Sequence, residues 1–244
     1  MNRYILILVI IITIIIYTIL QIYGNNIKIH TFDSGIPGIN LFLIGGTHGN
    51  EPSGSVALTN FIEKINCGKI KLKRGKIVVI DKPNKLGILF NNRYLLHRIY
   101  NRDLNRNYPR NAKERPLDPI SRTIVEQIHN SDWILDFHEG WGYINEQQGS
   151  MGSGIFPGKS KEARELGMVF QEVVNAEIDD KIKKFGLVNG IHPDIRSLKN
   201  FCDYIEKHYI LIETSGQNDI QPLDIRVKQV DTIINLFLKS QDMI

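Results

Sequence analysis

The chain has 244 residues, 42% of them hydrophobic and 23% charged, with a net charge of +4. That composition excludes collagen-like, low-complexity and disordered chains, and the length supports a full hydrophobic core without disulfide or structural-metal staples. Cys67 and Cys202 form neither a CxxC pair nor any metal-ligand spacing, so two free thiols are expected.

The first element is an apolar run. Residues 4–20 carry no charge, and the uncharged stretch continues to Ile27. The hydrocarbon core of a bilayer, roughly 30 Å thick, is crossed by about 20 apolar residues in a helix. One transmembrane helix over residues 4–23 is therefore expected, which divides the chain into an anchor, 1–24, and a single folded domain, 25–244. A cleaved secretory signal is the rival reading. Its apolar core is about 7–15 residues long and ends in a small-residue cleavage site, which "YTILQIYG" does not offer. Arg3 precedes the run and Lys28 follows it. This bias puts the amino terminus in the cytoplasm and the domain on the non-cytoplasmic side.

Beyond the anchor, short apolar runs alternate with helical spacing. Strands are expected at "IKIHTF" (27–32), "NLFLIGG" (40–46), "KIVVID" (76–81), "WILDFH" (133–138) and "YILIET" (209–214). Several lack polar alternation, as strands buried on both faces do. Helices are expected over 53–65, 118–129, 161–174 and 223–238, with Asp118-Pro119 and Ser160 as helix-start residues. The alternation predicts an α/β domain with helices covering a sheet. Residues 84–117, rich in Asn, Arg and Pro, read as a long loop of the kind that carries function.

The charge is unevenly spread. Residues 69–115 hold 14 Lys or Arg against 3 Asp or Glu, a balance of +11, which leaves −7 for the rest of the chain. The lysines at 69–76 read as a solvated face. The chain lacks interleaved aromatics, a zinc finger and a helix-turn-helix, so no nucleic-acid partner is expected. A site for a small anionic substrate fits the arginines from Arg98 onward.

Three of the expected strands end in residues of one chemical class. The stretch "LFLIGGTHGNEPSG" ends a strand in His48 and Glu51, "LDFHEG" supplies His138, and "LIETSG" supplies Glu213. In open α/β sheets, ligands bind beyond the carboxyl ends of strands. Two histidines and a carboxylate are a common ligand set for catalytic zinc, so His48, Glu51 and His138 are the candidate metal ligands, for one ion per chain. Hydrolysis also needs a base for water, and Glu213 is the candidate. Glu139 is a second-rank ligand candidate, because neighbours on a strand point to opposite faces. The other histidines (His30, His97, His129, His192 and His208) are read as non-ligands. The loop "RIYNRDLNRNYP" (98–109) reads as an anion clamp. Within it, Asp103 is a candidate to accept the second N–H of a ligating histidine.

Taken in order, "GGTHGNEPSG", "RIYNRDLNRNYP", "LDFHEG" and "IETSG" resemble the zinc carboxypeptidase superfamily, and within it the succinylglutamate desuccinylase/aspartoacylase branch. The resemblance spans residues 40–216. It implies a three-layer α/β/α sandwich around a mixed, mostly parallel, eight-stranded sheet, and an amide hydrolase using Zn2+. By resemblance, His48, Glu51 and His138 are the zinc ligands and Glu213 the general base. Arg98 would polarise the scissile carbonyl, Asn105 and Arg106 would hold the substrate carboxylate, and Asp103 is the aspartate of the same motif. The family's further substrate-binding arginine and tyrosine have no motif to match, and Arg196 and Tyr204 are their candidates. Aspartoacylase-like enzymes continue into a further domain after the base, whereas the roughly 30 residues after Glu213 read as one closing helix. The expected activity is deacylation of an N-acyl amino acid. The alternatives are a carboxypeptidase acting on peptide or cell-envelope C-termini, or an inactive zinc-binding recognition protein.

Overall fold

The computed structural model describes residues 3–111, 113–146, 149–190 and 192–244; the first two residues of the expected anchor segment lie outside them. Its elements in chain order are α1 (Arg3–Asn25), β1 (His30–Asp33), β2 (Asn40–Gly45), α2 (Pro52–Asn66), β3 (Lys76–Ile80), α3 (Lys85–Leu89), α4 (Pro119–His129), β4 (Trp133–Trp141), β5 (Gly154–Pro157), α5 (Lys161–Ala176), β6 (Gly186–Leu187), α6 (Leu198–Tyr204), β7 (His208–Gln217) and α7 (Leu223–Ser240). A 3-10 turn, Leu104–Arg106, interrupts the long loop.

Seven strands form one sheet in the order β1-β3-β2-β4-β7-β5-β6. The centre, β3-β2-β4-β7, is parallel. β1 joins β3 antiparallel and β5 joins β7 antiparallel. The sheet is thus mixed and mostly parallel, as expected, with seven strands among the described residues rather than eight.

Each central strand is apolar on both faces because helices cover both. Leu41, Leu43, Leu135, Phe137, Ile210 and Ile212 pack on one side with residues of α2, α5 and α7. Phe42, Ile44, Ile134, Tyr209 and Leu211 pack on the other with residues of α4 and α6. This period-2 division explains why "NLFLIG" reads as a continuous apolar run. The expected helix starts are present: the Asp118 side chain accepts from Ile120 N and forms a capping box with Ser121, and Ser160 accepts from Ala163 N.

α1 is long and apolar enough to cross a membrane, by length and composition. Its 23 residues extend about 34 Å. Its foot rests on the long loop. Gln21 donates to the His97 carbonyl, Arg98 donates to the Gln21 and Asn25 side chains, and Lys85 donates to the Asn26 carbonyl.

The turn after β2 depends on close backbone approach. Gly46 has φ +73°, in the left-handed region, and a Cβ on Gly49 would lie 1.9 Å from the Gly87 carbonyl carbon. At Gly68, which also has positive φ, a Cβ would meet nothing within 4 Å. Gly49→Ala should therefore cost more than Gly68→Ala: roughly 3 kcal/mol or more from overpacking against backbone, against about 1–2 kcal/mol for left-handed strain alone. Denaturation midpoints of the two variants measure the difference.

Candidate metal centre and its cavity

The strand ends bring the chemistry together. β2 ends at Gly45, and the turn that follows lifts His48 over the sheet edge; Glu51 then stands at the N-cap position of α2 ahead of Pro52, without a capping bond from its side chain. β4 carries His138, and its parallel register sets His138 directly opposite Glu213 on β7. His48 Nδ1 lies 2.8 Å from Glu51 Oε1, and His138 Nδ1 lies 2.8 Å from Glu51 Oε2. The two Nδ1 atoms are 3.1 Å apart. All three side chains are buried, and their ligand atoms lie within 4.8 Å of one another.

This geometry fits a metal ion. Two imidazole nitrogens turned toward each other need a proton or a cation between them. The second nitrogen of His48, Nε2, lies 3.0 Å from Asp103 Oδ1. A neutral His48 donates there and presents its Nδ1 lone pair to the centre. Nε2 of His138 lies 3.1 Å from Asp136 Oδ1, too poorly aligned for a hydrogen bond but close enough to hold the ring by charge. Asp136 in turn accepts from the Tyr209 hydroxyl at 2.7 Å.

The electrostatics follow from burial and proximity. Burial alone would raise the Glu51 carboxyl, but His48 and His138 hold it well below the ordinary carboxylate range. Burial likewise acts against ionisation of Asp103, and contact with His48 and Arg93 outweighs it, keeping the group ionised. For His138, burial would lower the pKa; Asp136 and Glu51 overcome that and raise it well above the usual histidine value. Glu213 differs: burial, reinforced by the Glu51 and Asp136 charges, pushes it up to about 8.

A cavity of about 210 Å³ opens over this group. His48, Glu51, His138, Glu213, Asn105 and Arg106 all line it. The Asn105 side-chain oxygen accepts from Leu198 N at 2.8 Å, which fixes the amide. Arg106 Nε lies 2.7 Å from Asp194 Oδ2 at the cavity's outer side.

Arg98 is not among the lining residues. Its Nε lies 2.5 Å from Asp118 Oδ2, and the foot of α1 takes its remaining nitrogens. Besides Arg106, the arginine that lines the cavity is Arg93, whose Nη1 is 3.1 Å from Glu51 Oε1 and whose Nη2 is 3.1 Å from Asp103 Oδ2. Arg196 pairs with Glu114, and Tyr204 is half exposed; neither lines the cavity. Glu139 turns away from the ligands, as strand alternation requires: it accepts from Ser53 N at 2.7 Å and ion-pairs with buried Arg226.

Sequence reasoning missed Arg93, Asp136, Gln217 and the lining position of His192. Gln217 donates to the Glu139 carbonyl at 2.7 Å. Asp136 was findable: two residues before His138 on one strand, it shares His138's face. Arg93 carried no comparable signal within an Asn- and Arg-rich loop.

The fold is shared with solved structures of Csd4 and of succinylglutamate desuccinylase/aspartoacylase proteins. The sequence model of the succinylglutamate desuccinylase/aspartoacylase catalytic domain matches residues 37–144, which bears out the resemblance carried by the motifs. Among solved structures, the tripeptide-bound cell shape determinant Csd4 of Helicobacter pylori matches with TM-score 0.72 and 21% identity, over 90% of this chain and 56% of that one. The mDAP-bound form of Helicobacter pylori Csd4, described as a D,L-carboxypeptidase, matches at 0.69 and 22%, over 85% and 52%. A succinylglutamate desuccinylase/aspartoacylase from Rhodobacter sphaeroides matches at 0.56 and 15%, over 89% and 60%. The chain thus spans little more than half the length of these structures, and the likeness is one of fold. No curated protein matches the chain.

Protein stripped of metal should take up one divalent ion per chain, and His48→Ala and His138→Ala should each abolish uptake, since a catalytic site of this kind has only three protein ligands. Asp136→Asn should retain the site but bind roughly 10–100-fold more weakly. Uptake should weaken as pH falls, because the ion must displace the proton that Asp136 and Glu51 favour on His138. Titration calorimetry across pH, with elemental analysis, measures all three.

Proposed function

We propose that the protein is a zinc hydrolase, anchored by α1 with its domain on the non-cytoplasmic side, that cleaves an amide bond beside a free carboxylate. The observation that carries this reading is the convergence of His48, Glu51 and His138 with Glu213 on one cavity wall. That is a ligand set and an acid–base group, contributed by three strand ends.

His48 and His138 would hold zinc through Nδ1, and Glu51 through its carboxylate. Bound there, zinc supplies Lewis acidity, polarising the carbonyl and acidifying water. Glu213 takes a proton from the attacking water and delivers it to the leaving nitrogen, a role suited to a carboxyl whose proton affinity is raised by burial. Arg93, which faces the cavity, takes the oxyanion-stabilising role that the motif assigned to Arg98. Asn105 and Arg106 receive the substrate carboxylate, with Arg106 exchanging its Asp194 partner for it. Asp103 holds His48 and Arg93 together, coupling the ligand shell to the anion-binding loop.

The matched catalytic domain favours an N-acyl amino acid as substrate. The higher structural similarity to tripeptide-bound Csd4, 0.72 against 0.56, favours a second reading: the carboxyl terminus of a cell-envelope peptide.

Steady-state hydrolysis of N-acyl amino acids and of short peptides, including peptides ending in mDAP, separates these substrates. Chelator should abolish turnover, and Glu213→Gln should lower kcat roughly 10²–10⁴-fold with metal retained. Arg93→Ala should cost on the order of 10²–10³ in kcat, while Arg98→Ala, which reaches the cavity only through the loop, should cost clearly less; the reverse pattern returns the oxyanion role to Arg98. Arg106→Ala should raise KM more than it lowers kcat, because the carboxylate is charged in ground and transition states alike. A metal-loaded protein that turns over neither class would favour the recognition-protein reading.

A further inference from the structure

Outside α1, the four most exposed large apolar side chains among the described residues are Tyr100 at 82%, Ile99 at 70%, Leu89 at 66% and Phe90 at 64%. All four come from residues 89–100, and Tyr94 of the same segment is 42% exposed. Single exposed apolar residues are ordinary; a concentration of them marks a surface that meets something apolar.

The foot of α1 stands on this segment. Gln21 donates to the His97 carbonyl, and Arg98 reaches Gln21 and Asn25. Gly24 sits so close to the His97 ring that a Cβ there would lie 2.4 Å from Nδ1. Cations accompany the aromatics: Arg102 lies over the Tyr94 ring at 5.3 Å and Lys85 over the Tyr23 ring at 5.5 Å. Exposed aromatics beside basic side chains, at the end of an apolar helix, match the chemistry of the bilayer's headgroup level, where amphipathic rings and Lys or Arg concentrate. The same segment delivers Arg93 to the cavity.

We propose that residues 89–100 form an interfacial membrane-binding surface, with Leu89, Phe90, Ile99 and Tyr100 entering the boundary between headgroups and acyl chains beside α1. The occupant of this patch is lipid. The loop that positions Arg93 is then held between the domain and the bilayer, and the cavity is kept at the membrane surface. The inference rests on reading α1 as an inserted anchor.

Fluorescence quenching on the full-length chain tests it, in vesicles of phosphatidylcholine and phosphatidylglycerol containing doxyl-labelled lipid. An environment-sensitive thiol dye is placed at three positions. Tyr100→Cys, in a Cys67→Ser background, reports the patch and removes little packing because Tyr100 is exposed. Thr13→Cys in the same background reports α1. Lys161→Cys in the same background, exposed at the start of α5 on the sheet edge opposite β1, serves as the control; Cys202 is buried.

Positions 13 and 100 should lose most of their fluorescence to lipid-borne quencher, with position 161 unaffected. Quenching at 13 but not at 100 would overturn the proposal and leave the anchor standing. No quenching at 13 would remove the anchor and the proposal with it. A dye at 100 that resists both lipid quencher and aqueous iodide would place the patch against protein and overturn the lipid assignment. Equal quenching at all three positions would mean unspecific adsorption, which also overturns it.

Discussion

The parallel register of β2, β4 and β7 is the constraint on which the site depends. Leu41 pairs with Trp133 and Trp133 with His208, so all three strands reach the same sheet edge in step. A slip of one residue in the β4–β7 pairing would turn Glu213 to the opposite face from His138. The register is held by burial on both faces: Ile134, Leu135, Ile210 and Leu211 each contact one helix layer or the other, and a slip would exchange those partners. The precision of the polar site is thus set by apolar packing below it.

The edge itself is unfavourable without compensation. His48, Glu51, His138 and Asp136 are almost wholly buried, and Glu213 adds a fifth titratable group to the same space. Buried charges survive when paired. Asp103 and Arg93 supply part of that pairing from the long loop, while Glu139 and Arg226 form a separate buried pair beneath. A divalent cation adds positive charge where the carboxylates outnumber their partners. Metal uptake and stability of this edge are therefore linked, since an ion that binds only the folded arrangement stabilises it.

Much of this was legible because the informative residues sit next to strong local signals. His48, Glu51, His138 and Glu213 each follow an apolar run whose length and β-branched content mark a strand, so their positions in space follow from topology. The elements that escaped are short or carry breakers: β5 is Gly-Ile-Phe-Pro, β6 has two residues, and α6 has seven. Periodicity cannot mark a two-residue strand. The loop 84–117 was legible as functional but not in detail. Its conformation is decided by partners distant in sequence, as Gln21, Asn25 and Asp118 around Arg98 demonstrate. Arg98 had its role from the family resemblance alone, and Arg93 carried no signal in the sequence to set against it.

Those distant partners also connect α1 to the candidate site. The guanidinium of Arg98 bridges Asp118, the cap of α4, to Gln21 and Asn25 at the foot of α1. Five residues earlier, Arg93 bridges Asp103 to Glu51. One short segment therefore connects the apolar helix, the α4 cap and the ligand shell, with two arginines as its fixed points. Both bridges use forked, charge-assisted contacts that resist rotation better than a single lysine contact would. Displacing the helix foot frees Arg98 from two of its three partners and leaves the Asp118 contact alone to hold that end of the segment. The position of Arg93 over the cavity in this way depends on the foot of α1 as well as on the sheet that supplies the candidate ligands.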